Sequence, residues 1–136
     1  MSDPLKIGRK HTITEPVTER NVASAYGNVG VHVFGTPAMI TLIENTCGQC
    51  VQPTLSAGAG TVGTQLTVRH LAATPLGMSV TCSAEIIEID RRRIVFAVEV
   101  HDDIEKIGTG THERFIIPDI DKFLTKAASK TVSDDR

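Results

Sequence analysis

Between residues 51 and 62 the apolar spacing of this chain changes period, from the all-round pattern of an enclosed helix to the alternation of strands. From Thr36 to about Val51, the residues Met39, Ile40, Leu42, Ile43, Cys47 and Cys50 cover more than one helical face, so a helix here must be wrapped on several sides. Beyond Pro53 and a flexible Ser56-Ala57-Gly58-Ala59-Gly60 link, apolar residues recur every second position. Val62, Leu66, Val68 and His70 share one side of a strand, and Val80, Cys82, Ala84 and Ile86 one side of the next. Ile94, Phe96, Val98 and Val100 repeat the pattern before Asp102-Asp103 turns the chain into Ile107 to Ile117. The parity switch at Ile86-Ile87 predicts a bulge or a twist there.

Around this block, Lys10 to Val17 reads as a short edge strand because it ends at Glu15-Pro16. Thr18 to Gly35 reads as a loop with one helical turn at most, Asp119 to Ala128 as a polar helix, and Ser129 to Arg136 as a disordered tail. One strand, one enclosed helix and four successive strands predict an α+β chain of hotdog architecture, an antiparallel sheet wrapped around a central helix. The 136 residues suit one core, so a single domain over 1–136 is expected. Such a sheet leaves an open edge, and a core with no Trp, one Tyr and four Phe gains burial by pairing, which predicts a homodimer.

A net charge of -2 supplies no basic field, so neither nucleic acid nor a membrane surface is an expected partner. No apolar run reaches the length of a membrane span, and Met1-Ser2-Asp3-Pro4 lacks the opening of a signal peptide. Three cysteines, an odd number, fit free thiols in a reducing compartment, and the expected location is cytoplasmic. Cys47-Gly48-Gln49-Cys50 falls near a helix C-terminus, where the dipole opposes a thiolate, and lacks partner ligands for zinc. These cysteines read as buried apolar residues, with no metal and no redox cofactor.

Three chemistry-bearing residues stand out. Thr36-Pro37 is a strong helix start in which the threonine hydroxyl serves as an N-cap, and the free first-turn amides offer a place for an oxyanion. Glu44 lies in the middle of the enclosed helix, where a carboxylate must be exposed, paired or protonated. It follows Thr36 by about 2.2 turns, or roughly 12 Å of rise, so the two do not touch unless Glu44 reaches back or a partner subunit bridges them, and a site shared between protomers or a water-mediated role for Glu44 is preferred. His70 sits in parity with Leu66 and Val68, facing the helix, where a neutral imidazole can move protons near pH 7. In the last strand Gly108, Gly110, His112 and Arg114 share one side; the glycines admit a bend or a close helix, and Arg114 is a partner for Glu44 or a substrate oxygen. Arg91-Arg92-Arg93 marks a hairpin corner that can meet phosphates.

The strings Val68-Arg69-His70-Leu71-Ala72-Ala73-Thr74-Pro75, Arg91-Arg92-Arg93 and Ile107-Gly108-Thr109-Gly110-Thr111-His112-Glu113-Arg114 resemble the fluoroacetyl-CoA thioesterase-like branch of the hotdog thioesterases, over about Phe34 to Ile117. The resemblance implies a catalytic group of Thr36, Glu44 and His70, with Gly63 helping to hold the thioester carbonyl and Arg114 near the site. Phe34, at the mouth of the helix, joins Gly63 and Arg114 as a substrate-binding residue. The member specialised for fluoroacetyl-CoA closes its site with a phenylalanine-bearing lid, whereas Asn21 to Val33 holds no phenylalanine. The implied activity is therefore hydrolysis of a small or medium acyl-CoA, with coenzyme A as part of the substrate rather than a cofactor. The competing readings are a non-catalytic acyl-CoA binding module on the same fold and a hotdog enoyl-CoA hydratase.

Overall fold

Helix α1 (Thr36–Val51) exists because a curved sheet surrounds it. A computed structural model describes residues 4–131, in which α1 buries Ala38, Met39, Leu42, Ile43, Cys47, Cys50 and Val51. The sheet comprises β1 (Lys10–Pro16), β2 (Gly60–His70), β3 (Ser79–Asp90), β4 (Arg93–His101) and β5 (Lys106–Ile117), all antiparallel, in the order β1-β3-β4-β5-β2. Its inner face presents Val80, Cys82, Ala84 and Ile86 from β3 and Ile94, Phe96, Val98 and Val100 from β4, all buried. Each of the Val, Ile and Phe side chains among them contributes about 1.5–3 kcal/mol. The alternation read from the sequence is this inner face, and β1 is an edge strand as expected. The β3–β4 hairpin closes on Asp90↔Arg93 with Arg91 at φ 59, the backbone that a two-residue turn demands.

Of three register shifts in the sheet, one lies between Val100 and His101 at the β4–β5 turn and two lie within the strands. Of the latter two, the one between Ile86 and Glu88 against β4 lies where the parity switch predicts it. The other, between Gly63 and Gln65 against β5, changes a sequence expectation. Thr64 is the extra residue, and its hydroxyl donates to the Glu113 carboxylate at 2.7 Å. Because one residue is inserted, Val62 pairs with Phe115 on the outer face instead of sharing a side with Leu66. Gly63 takes the inner position opposite Arg114, and Leu66 stands opposite His112.

Glycines set how closely the layers approach. A Cβ on Gly108 would lie 2.7 Å from the Met39 sulfur of α1, and one on Gly110 would overlap the Thr67 carbonyl oxygen of β2. The loop before α1 contains a single 3₁₀ turn, Ala23–Tyr26, and is tied down by the bridges Val22↔Phe34 and Val33↔Pro75. After β5, helix α2 (Ile120–Ala128) starts on the Asp119 side chain, which accepts from the Lys122 N–H at 3.1 Å. The expected disordered tail, Ser129 to Arg136, falls only in part on described residues. Ser129, Lys130 and Thr131 donate backbone hydrogen bonds to Thr125, Ala127 and Ala128, extending the last turn, and residues 132–136 lie outside the described residues.

Cys47, Cys50 and Cys82 are free and buried, and burial pushes their thiols up, Cys82 to about 11. They pack as apolar residues. Among the described residues no helix is long and apolar enough to cross a membrane. Replacing Gly110 by alanine drives a methyl group into the neighbouring strand, so Gly110→Ala is expected to destabilise by about 1–3 kcal/mol or more. A chemical denaturation midpoint equal to wild type would contradict this packing.

Candidate active site

Thr36 opens α1, yet its hydroxyl does not cap the helix. The N-cap is Gly35, no side chain takes that role, and the Thr36 Oγ1 lies 2.8 Å from His70 Nδ1 at the end of β2. The N-cap expectation is thus corrected, because the imidazole competes successfully for the hydroxyl. Phe34 is buried and meets the His70 ring edge-on, with centroids 6.4 Å apart. It packs the ring from beside the site. Val33, Thr36, His70, Leu71, Ala72 and Ala73 line a cleft of about 370 Å³.

Burial lowers the His70 pKa from its ordinary value, against a smaller upward pull from the Ala72 backbone. The ring is therefore neutral at pH 7 and able to accept a proton. His70 Nε2 is buried and has no hydrogen-bond partner among the described residues.

A second cleft, of about 220 Å³, is lined by Ile40, Glu44, Gly63, Thr64, Gln65, Leu66 and His112. Glu44 Oε2 lies 3.4 Å from Arg114 Nη1 and 3.9 Å from His112 Nε2. Arg114 is held by more than Glu44: Nε donates to the Thr61 hydroxyl at 2.8 Å, Nη2 to the Thr61 carbonyl at 3.0 Å, and Nη1 lies 3.1 Å from His112 Nε2. His112 Nδ1 is 2.9 Å from the Gln65 carbonyl, which can only accept, so Nδ1 carries the proton and Nε2 accepts from Arg114. Burial and then Arg114 lower the His112 pKa, in keeping with that neutral ring. A Cβ on Gly63 would overlap the Glu44 carboxylate where it now lies, so the glycine lets the acid sit directly against β2.

The residues expected to act together thus fall into two groups in one chain. Thr36, His70 and Phe34 form the first; Glu44, Gly63 and Arg114 form the second. His112 and Thr61 complete the second group and were not among the expected site residues, although His112 shares strand parity with Arg114. Among the described residues no cluster of three or more His, Cys, Asp or Glu could hold a metal ion.

The comparison with known proteins agrees with this architecture. Residues 17–119 match the family described as fluoroacetyl-CoA-specific thioesterase. The fluoroacetyl-CoA thioesterase of Streptantibioticus cattleyicolor is 42% identical over 99 residues, which are 73% of this chain and 70% of that protein. A crystal structure of a variant of the fluoroacetyl-CoA-specific thioesterase, 34% identical, superposes with a TM-score of 0.88 over 95% of this chain and 99% of that one. Another variant of that enzyme, in complex with acetyl-CoA, is likewise 34% identical and gives 0.86 over 94% and 100%. A hot-dog-like protein from Thermanaerovibrio acidaminovorans, 18% identical with a TM-score of 0.85 over 93% of each chain, shares the fold. With a sheet-wrapped helix of hotdog form and this extent of match, the chain belongs to the fluoroacetyl-CoA-specific thioesterase family of thioester hydrolases.

Proposed function

We propose that the chain hydrolyses a small or medium acyl-CoA thioester to free acid and CoA, at a site shared between two single-domain protomers. The observation that carries this reading is the Thr36–His70 contact of 2.8 Å, a hydroxyl held by a neutral base at the start of a helix. The acid expected to work with them lies elsewhere in the same chain. Gly63, beside Glu44, and His70 are seven positions apart on β2, or roughly 23 Å of strand.

Strand β2 is itself the means of joining them. It is an edge strand of 11 residues without proline, carrying half-buried Leu66 and Val68. Such an edge favours pairing with a second copy. Antiparallel pairing about the middle of β2 sets the Gly63 end of one protomer beside the His70 end of its mate. Glu44 of the partner subunit then completes the Thr36–His70 group, and each dimer holds two equivalent sites.

In this mechanism the thioester carbonyl enters at the start of α1, where first-turn amides, together with the backbone beside Gly63, stabilise the developing oxyanion. Pro37 contributes no N–H, so the Thr36 and Ala38 amides are the donors nearest the hydroxyl. His70 Nδ1 takes the Thr36 proton as Oγ1 bonds to the acyl carbon. The carbon–sulfur bond then breaks, and CoA leaves as the thiol with the proton from His70. Glu44 takes a proton from the water that attacks the acyl-threonine; the bond between the acyl carbon and Oγ1 then breaks, and that proton passes to Oγ1, restoring the Thr36 hydroxyl as the free acid leaves. Arg114 orients Glu44, with no metal or redox group in the cycle. Buried free thiols support a cytoplasmic setting.

Thr36→Ala, His70→Ala and Glu44→Gln should each lower thiol release from acyl-CoA on the order of 10²-fold or more with the fold intact. Wild-type turnover in all three would refute the site. The pH dependence follows from the direction of the His70 shift. A base must be unprotonated, and a pKa below the ordinary 6.5 in the free protein keeps it so down to a lower pH, so the acid limb of kcat/KM should lie below 6.5. A limb above 6.5 would contradict His70 as the base.

A further inference from the structure

The segment 71–78, which joins β2 to β3 directly after His70, is held from two sides at Thr74. Thr74 is fully buried, and its Oγ1 donates to Asp102 Oδ2 at 2.7 Å, in the turn between β4 and β5. Its carbonyl accepts from the Phe34 N–H at 2.8 Å, two positions before Thr36. Neighbouring contacts follow the same path: the Leu71 N–H donates to the Ile107 carbonyl at 2.7 Å, and Val33 bridges Pro75. The other oxygen of Asp102, Oδ1, accepts from the Ile104 and Glu105 N–H groups at 2.8 and 2.9 Å. Burial pulls the Asp102 carboxyl up, but the Ile104, Thr74 and Glu105 donors outweigh it and hold the group below its usual range. It is therefore ionised at pH 7 and can only accept, which fixes the direction of the Thr74 hydroxyl.

We propose that Asp102 and Thr74 are positioning residues for the Thr36–His70 pair: the carboxylate holds the segment 71–78 to the β4–β5 turn, and the segment holds Phe34 against the imidazole. The assignment rests on the acyl-CoA reading above. Phe34 meets the His70 ring edge-on at 6.4 Å between centroids, so a continuous chain of contacts runs from the turn to the ring that holds the Thr36 hydroxyl. Thr36 and His70 stand at the ends of α1 and β2, and the two segments that leave those ends are tied to each other through Thr74. A hydrogen bond to a carboxylate is a strong tie for that purpose. The spacing of a nucleophile and its base is sensitive to such ties, since a misplacement of about 1 Å can lower a rate 10²-fold. The His70 ring responds in a second way. Its pKa is lowered by burial, against the Ala72 backbone, with no charged side chain among the causes, so loss of the Phe34 cover admits water and moves it back up.

The test compares wild type with Thr74→Val, which keeps the shape and the backbone carbonyl but removes the donor, and with Thr74→Ser, which restores it. Thr74→Val should lower kcat for acyl-CoA on the order of tenfold with KM unchanged, and Thr74→Ser should return kcat to within about twofold of wild type. The His70 titration, followed by NMR as the ring signal absent from His70→Ala, decides independently of turnover. Its pKa should rise toward 6.5 in Thr74→Val and return to the wild-type value in Thr74→Ser. A merely structural Thr74 would lower the melting temperature without moving that titration. Asp102→Ala, at a half-buried turn position, reads the same bond from its other end and should give the same rise. An unchanged His70 pKa in folded Thr74→Val or Asp102→Ala protein, or a rise that Thr74→Ser fails to reverse, would overturn the proposal. If wild type hydrolyses no acyl-CoA, the thioesterase reading falls, and the titration still decides whether Thr74 positions the ring.

Discussion

The close approach of α1 to the inner face of the sheet governs everything else in this molecule. Met39 lies over Gly108, and the Glu44 carboxylate occupies the space where any side chain at position 63 would stand. Both contacts depend on missing Cβ atoms. A larger residue at either position would lift the helix or turn Glu44 away, separating the acid from Arg114. The same packing sets the start of α1 beside the end of β2, which is what brings Thr36 within 2.8 Å of His70.

Two histidines share this inner face, and the surroundings give them opposite tasks. His112 is 2% exposed, stacked on Phe96, and has both nitrogens engaged, one by a carbonyl and one by Arg114. It is a fixed acceptor that steadies the guanidinium. His70 has one nitrogen on a hydroxyl and the other without a partner. Burial depresses both rings, but only His70 has a proton donor of the right kind within reach. In the proposed mechanism, pairing with the Thr36 hydroxyl is what separates a base from a strut.

Much of this was legible in the sequence, for reasons that differ from residue to residue. The enclosed helix and the inner face of β3 and β4 were plain, because Val80 to Ile86 and Ile94 to Val100 alternate without interruption. The role of Val62 was not. A bulge at Thr64 reverses parity, and nothing in a string of small and β-branched residues announces the insertion. The capping of α1 was misread because a threonine before proline usually serves the helix, and only the tertiary placement of His70 offers its hydroxyl a stronger partner. His112 was visible as a neighbour of Arg114 in parity, but its value lies in a carbonyl at the β2 bulge, which the linear sequence does not disclose.

The central claim is that a nucleophile and base from one protomer work with the acid of the other. Subunit exchange tests it most directly. Thr36→Ala and Glu44→Gln proteins, each inactive alone, are mixed, allowed to exchange protomers, and assayed for thiol release from acyl-CoA. A shared site predicts recovery to about a quarter of wild-type activity, since half the dimers are mixed and each carries one intact site. Activity that stays at the level of the separate variants, in a mixture shown to contain heterodimers, would place all three groups in one protomer and contradict the account.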